Sequence, residues 1–164
     1  TGKMVLSATH QLLRNRGELI LSPLGEVNAS DTYEILEGTK KITVPLNLKI
    51  KPLDSITHEV AKFKELNAGS DQNTIVVDSK KLQFPLTLRK WESGDFFFPF
   101  GMDGKKKLSK FFKDEKMSLI EKENSWLLCS GDKIVWVIGK RMDDRFKLTS
   151  GSKQGLQIKL KLQS

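Results

Sequence analysis

Cysteine occurs once in these 164 residues, at Cys129, and histidine twice, at His10 and His58. A single thiol excludes an internal disulfide framework and fits a reducing, cytoplasmic setting. With the two histidines far apart and no second cysteine, no metal site of the usual Cys/His spacing can be drawn. Long apolar runs are missing as well. The longest, Ile134-Val135-Trp136-Val137-Ile138, is five residues, a buried strand rather than the ~20 residues a membrane helix needs, so no membrane is expected among the partners. No secretory signal opens the chain, and its first residue, Thr1 rather than Met, suggests a piece cut from something longer. There is no P-loop and no GxGxxG. Gly101-Met102-Asp103-Gly104-Lys105 resembles a phosphate loop only superficially, because no apolar strand leads into it.

The groups that could carry chemistry have simpler explanations. Cys129-Ser130-Gly131 follows a strand, but no histidine is marked as its base, so Cys129 is read as a structural thiol. Asp143-Asp144 is flanked by Arg141 and Arg145, which favours salt bridges over a bound Mg²⁺. No nucleophile–base pair supports an independent enzyme, and no cofactor is expected on this chain.

What is abundant is positive charge, unevenly placed. The net charge is +8, from 28 Lys/Arg against 20 Asp/Glu. Residues 1–86 hold 11 basic and 10 acidic side chains, whereas residues 87–164 hold 17 and 10. The second half therefore carries almost all of the excess, which points to a polyanionic partner. A hydrophobic content of 38% with 29% charged residues places the chain in the soluble globular class.

Periodicity predicts an α+β fold dominated by sheet. Leu12-Leu13 and Leu19-Ile20-Leu21 flank Arg14-Asn15-Arg16-Gly17 as a hairpin would. Strands are expected at 32–36, at 42–50 with Pro45 marking an edge or a strand end, and at 74–77. Others are expected at 84–89, 126–129, 134–138 and 156–162. Ile56, Val60 and Phe63 fall near helical spacing, and a short amphipathic helix is expected over 105–116 with Leu108, Phe111 and Phe112 inward. Residues 78–82 read as a turn or a single helical turn. The polar, small-residue stretch Ala68-Gly69-Ser70-Asp71-Gln72-Asn73 suggests a boundary, giving a β-rich region 1–70 and a domain 71–164.

Within the second half the basic residues gather in three places: Arg89-Lys90; Lys105-Lys106-Lys107 with Lys110 and Lys113; and Lys140-Arg141 with Arg145 and Lys147. A triple lysine at a helix start does nothing for local stability, where acidic residues are preferred, but suits an anionic ligand. If the helix begins there, Lys106, Lys110 and Lys113 share one face. Phe96, Phe97, Phe98 and Phe100 could stack on unpaired bases, although their setting among apolar strands favours core packing. Trp91, Trp126 and Trp136 are also read as core.

The order of these motifs carries a resemblance. Leu88-Arg89-Lys90-Trp91-Glu92-Ser93-Gly94-Asp95, Phe98-Pro99-Phe100-Gly101-Met102, Lys106-Lys107-Leu108 and Phe111-Phe112 resemble the C-terminal domain of bacterial tRNA(Ile)-lysidine synthases. Ile134 to Arg141 and Asp144-Arg145-Phe146-Lys147 resemble the later part of the same signature. The resemblance implies a parent enzyme that uses ATP to adenylate the wobble cytidine of an isoleucine tRNA and then joins lysine to it. ATP and Mg²⁺ would belong to an N-terminal pyrophosphatase domain, whose Ser-Gly-Gly-x-Asp-Ser loop does not occur here. It also implies a domain shared with the phenylalanyl-tRNA synthetase β-subunit that holds the acceptor stem of tRNA(Ile).

Arg89, Lys105, Lys106, Lys107, Lys110, Arg141 and Arg145 would then be RNA contacts, with Lys113 and Lys147 beside them. Gly94, Asp95, Pro99 and Gly101 would shape the presenting loop. Two departures stand out: Phe96 replaces an arginine common in the family, and Lys113 replaces an apolar residue. The alternative reading is a protein-interaction module docking on an acidic partner or on the catalytic domain, or a homodimer formed through residues 1–70.

Overall fold

A computed structural model describes residues 32–54 and 71–162, together with the backbone of three earlier strands. Those are β1 (Lys3–Leu6), β2 (His10–Asn15) and β3 (Glu18–Pro23). β2 and β3 form the expected hairpin, with Arg14 opposite Leu19 and Asn15 opposite Glu18. The helix expected around 56–66 lies outside the described residues.

The remaining strands are β4 (Thr32–Ile35), β5 (Lys41–Ile42), β6 (Leu48–Asp54), β7 (Thr74–Asp78) and β8 (Leu86–Lys90). They continue with β9 (Phe96–Phe97), β10 (Lys106–Lys107), β11 (Trp126–Ser130), β12 (Lys133–Val137), β13 (Arg141–Met142) and β14 (Gln154–Leu160). Two short helices, α1 (Leu108–Asp114) and α2 (Leu119–Glu123), complete the set. An eight-stranded sheet runs β13-β12-β11-β8-β4-β1-β2-β3, a four-stranded sheet runs β5-β6-β14-β7, and β9 and β10 make a small ribbon. All described pairings are antiparallel except β1 with β4. The fold is α+β and sheet-dominated, as expected.

Alternation explains the layers. On β11, Trp126 and Leu128 face the four-stranded sheet, while Leu127 and Cys129 face α1. Both faces are covered, so the whole strand is buried and its sequence is continuously apolar rather than alternating. The first core lies between the sheets and joins Tyr33, Ile35, Ile50, Val77, Leu88, Trp136 and Ile158. The second joins Phe97, Leu108, Phe111, Phe112, Cys129 and Val137. A bulge pairs Leu128 with Trp136 but Cys129 with Ile134. The extra residue lets Val135 and Trp136 both serve the first core.

Three local expectations are corrected. The strand expected over 42–50 is two strands, β5 and β6, because the segment containing Pro45 turns the chain back and Lys41 pairs with Lys49. The helix expected over 105–116 starts only at Leu108, since Lys106 and Lys107 are taken into the ribbon opposite Phe97 and Phe96. The amide N–H of Leu108 donates to Asp95 O at 2.9 Å, so the first N–H of this seven-residue helix is already engaged within the fold. Finally, Phe96 is 42% exposed rather than core, whereas Phe97 is fully buried and Phe98 and Phe100 are half-buried. Trp126 and Trp136 are core, and half-buried Trp91 packs edge-on to Phe112 at 5.0 Å. The 68–73 stretch is described only from Asp71 onward, and strands from both sides of it share each sheet through β4–β8 and β6–β14.

Candidate nucleic-acid interface

Two arginine–aspartate clasps build the frame. Arg89, at the end of β8, reaches Asp95 through two parallel bonds of 2.9 Å each. The hydrogen bond to Asp95 leads in raising the Arg89 guanidinium further above its ordinary value. Asp95 Oδ2 also accepts the Glu92 N–H at 2.7 Å, closing a turn in which Gly94 sits at φ +95°, a conformation that other residues adopt only with strain. Asp143 has no exposed surface and accepts from Phe98 N (3.0 Å), Arg145 N (2.8 Å), Arg145 Nε (3.0 Å) and a terminal Arg145 nitrogen (2.9 Å). Buried Pro99 bridges to Asp143, and the Phe100 N–H donates to Met142 O at 2.9 Å. The loop from Gly94 to Gly101 is thereby fastened at both ends.

On this frame stands a cation–aromatic row. Lys105 Nζ lies 4.7 Å from the centre of the exposed Phe96 ring, Phe96 meets Phe98 edge-on at 6.2 Å, and the Arg145 guanidinium lies 4.4 Å over Phe98. Such contacts orient flexible cations. Beside the row, Lys105, Lys106, Lys107 and Lys110 line one concavity of about 480 Å³ with Pro99, Met102, Asp103, Gly104 and Asp114. Gly101 and Gly104, both at φ +80°, turn the chain around its rim. Lys106 bonds Asp114 at 2.5 Å and holds that carboxyl below its usual range. Among the described residues, Lys105, Lys107 and Lys110 form no salt bridge. Their charge faces the solvent, and the acidic side chains of the same lining are Asp103 and Asp114, the latter engaged by Lys106.

Residues 86–160 match the sequence model of a family described as the TilS substrate C-terminal domain. The chain is 44% identical over 159 residues to a tRNA(Ile)-lysidine synthase of Parabacteroides distasonis, covering 96% of this chain and 34% of that protein. It is 31% identical to the synthase of Bacteroides thetaiotaomicron, over 97% of this chain and 33% of that protein. A crystal structure of a TilS C-terminal domain superposes with a TM-score of 0.62 at 19% identity, over 81% of this chain and 98% of that one; this last likeness speaks to the fold. Residues 86–160 belong to the TilS C-terminal domain family. The chain spans about a third of the length of these curated relatives.

All nine basic residues singled out as contacts from the sequence fall within residues 86–160, but the structure gathers only four of them at the concavity. Lys105, Lys106, Lys107 and Lys110 come together at the concavity. Lys113 is exposed on α1 and is not part of its lining. Because Lys106 sits on β10 and not on the helix, the single-face ladder expected for Lys106, Lys110 and Lys113 does not form. Arg89, Arg145 and Lys147 are spoken for by Asp95, Asp143 and Asp144. The acidic pair 143–144 thus makes salt bridges, Asp144 with Lys147 and Asp143 with Arg145. Arg141 is half-buried on β13 opposite Val137. Gly94, Asp95, Pro99 and Gly101 occupy the turns and anchors of the loop from Gly94 to Gly101.

Sequence reasoning missed the exposure of Phe96 and a smaller hollow of about 150 Å³ where Asp132 and Lys133 meet Phe96 and Arg145. Its only sequence signal was the exchange of a family arginine for Phe96. Cys129 is buried, and burial pushes its thiol up to about 11 against a smaller opposing pull from Arg89. Among the described residues no three His, Cys, Asp or Glu side chains are grouped so as to hold a metal ion.

Proposed function

We infer that this chain is the tRNA-holding part of a tRNA(Ile)-lysidine synthase, and that its lysine concavity takes the phosphate backbone of the acceptor stem. The observation that carries this reading is the meeting of four lysines in one concavity beside the fastened loop, three of them without a salt bridge. A duplex RNA stem presents phosphates and 2′-hydroxyls rather than readable major-groove edges, so recognition proceeds by charge and shape. Lysines serve this as mobile point charges, whereas an arginine already held in a bidentate clasp has few donors left to give. Accordingly Arg89 and Arg145 act as positioning residues: they fix the Gly94–Gly101 loop against β8 and β13, and the lysines make the contacts. Arg141, Lys113 and Lys147 supply field around the concavity. Phe96 offers a ring on which an unpaired base at the end of the stem can stack.

The ATP-dependent chemistry, with its Mg²⁺, is assigned to the part of the synthase that carries the pyrophosphatase loop. Specificity for tRNA(Ile) arises when both parts engage one tRNA, each raising the effective concentration of the other. The chain alone then binds tRNA(Ile) and other tRNAs with similar affinity.

The test is a titration of fluorescent tRNA(Ile) at two salt concentrations, with wild type beside Lys105→Ala/Lys106→Ala/Lys107→Ala. Binding to the wild type should fall with salt at a log–log slope of about −0.7 to −0.9 per phosphate contacted. The triple variant should lose about two to three units of that slope. Absence of binding at low salt, or binding untouched by the triple substitution, would remove the concavity from the account. Salt-sensitive binding to the catalytic domain instead of RNA would establish the protein-docking alternative.

A further inference from the structure

The outer face of the four-stranded sheet carries a second concentration of lysines that the concavity does not use. The register sets Lys41 of β5 directly opposite Lys49 of β6, and Lys49 directly opposite Lys159 of β14. Strand alternation turns Ile42, Leu48, Ile50 and Ile158 into the core and leaves these three lysines exposed on the other face. Lys51, two residues along β6, is exposed on the same face. Lys161 follows β14, fastened by its N–H to Asn47 O at 2.8 Å, and the charges of Lys49, Lys159 and Lys41 depress its ammonium below the usual lysine value. Among the described residues none of these five makes a salt bridge.

Like charges directly opposite on neighbouring strands destabilise a sheet. Three in one transverse row, with strands about 4.8 Å apart, set a ribbon of positive charge about 10 Å wide that works against the fold bearing it. Along β6 and β14 the row is bordered by exposed Lys51 and half-buried Gln157, while on β7 beside them Thr74 and Val76 are buried; the row itself exposes no aromatic or aliphatic anchor. A protein partner needs such anchors at the centre of its interface, and a membrane-binding face needs apolar groups to insert. A polyanionic backbone needs neither. The row also lies on the far side of the molecule from α1, because the two cores are stacked on opposite faces of the eight-stranded sheet.

We propose that the face bearing Lys41, Lys49, Lys51, Lys159 and Lys161 is a second RNA-backbone surface, separate from the lysine concavity and engaging a duplex segment through phosphates alone. It rests on the register and exposure of these strands and not on the reading of the concavity.

The experiment titrates the 164-residue chain at low salt with a fluorescent RNA hairpin in four forms: wild type, the Lys105/Lys106/Lys107→Ala set, a Lys41→Gln/Lys49→Gln/Lys159→Gln set, and both sets together. The Ala set should keep salt-dependent binding, and adding the Gln set should weaken it about ten- to a hundred-fold at 0.1 M salt, with two to three units less slope. A Lys→Arg set at the same three sheet positions keeps the charge and should keep the binding, which guards against a Gln set that fails to fold. Removing the repulsion should also raise the melting temperature of the Gln set. Unchanged affinity and slope in a folded Gln set would overturn the proposal while leaving the concavity intact. Binding abolished by the Gln set but untouched by the Ala set would uphold it while the concavity reading fails. Capture of phosphatidylglycerol vesicles or polyglutamate through these lysines, with no RNA bound, would overturn it in favour of another acidic partner.

Discussion

Replacing Asp143 with alanine tests the frame beneath the interface. The carboxylate is fully buried and accepts four hydrogen bonds, two from backbone N–H groups of Phe98 and Arg145 and two from the Arg145 guanidinium. Arg145 is 31% exposed and can swing into water, so its charge escapes being stranded. The two backbone donors cannot leave. At ~1–3 kcal/mol for each buried donor left unmade, with some relief as water enters the space of the lost side chain, the substitution costs about 3 kcal/mol. A domain of this size loses roughly 2–4 °C of melting temperature per kcal/mol, so the expected drop is about 10 °C by circular dichroism. Asp143→Asn, which keeps an acceptor, should cost about half as much, and Asp132→Ala, at an exposed position, nearly nothing. A melting temperature for Asp143→Ala within ~2 °C of wild type would refute the claim that this carboxylate fastens the loop.

Three further expectations follow from the same geometry. Arg89→Ala and Asp95→Ala should each destabilise by about 1–2 kcal/mol, and the double variant by little more than either, a coupling that urea denaturation can read; fully additive losses would deny the clasp. Cys129 should resist iodoacetamide at pH 8 in the native chain and react once it is unfolded. Because its folded pKa is raised to about 11 from an ordinary 9, the neutral thiol's contribution is complete below pH 9 and is lost as pH rises from 9 through 11. Stability should therefore fall over that window and do so less in Cys129→Ala. Gly94→Ala, at φ +95° with open space where the new Cβ would stand, should cost about 1 kcal/mol from backbone strain alone; no loss in melting temperature would show that the turn relaxes.

Sheet content and most strand positions were legible because their signals are local. The β2–β3 hairpin, β7, β11, β12 and β14 all appear close to where apolar runs and alternation placed them. Three features were not legible, each for a physical reason. The segment around Pro45 reads as one alternating strand, and only its antiparallel return shows β5 as a separate element. Lys106 and Lys107 look like the first turn of a helix, yet the Phe96–Phe97 ribbon captures them, a pairing no local pattern announces. Charge identity was plain while charge pairing was not. Arg89, Arg145 and Lys147 look the same in sequence as Lys105, Lys107 and Lys110, and only the positions of Asp95, Asp143 and Asp144 reveal which cations are already engaged. The lysine row on the four-stranded sheet went unseen for a related reason. Its members come from three strands that register alone brings side by side.

The most direct test of the concavity is lysine-acetylation footprinting of the chain with and without tRNA(Ile), read residue by residue by mass spectrometry. The account predicts protection of Lys105, Lys107 and Lys110 on binding, with Lys116 still modified. Modification of Lys105, Lys107 and Lys110 unchanged by saturating tRNA would contradict it.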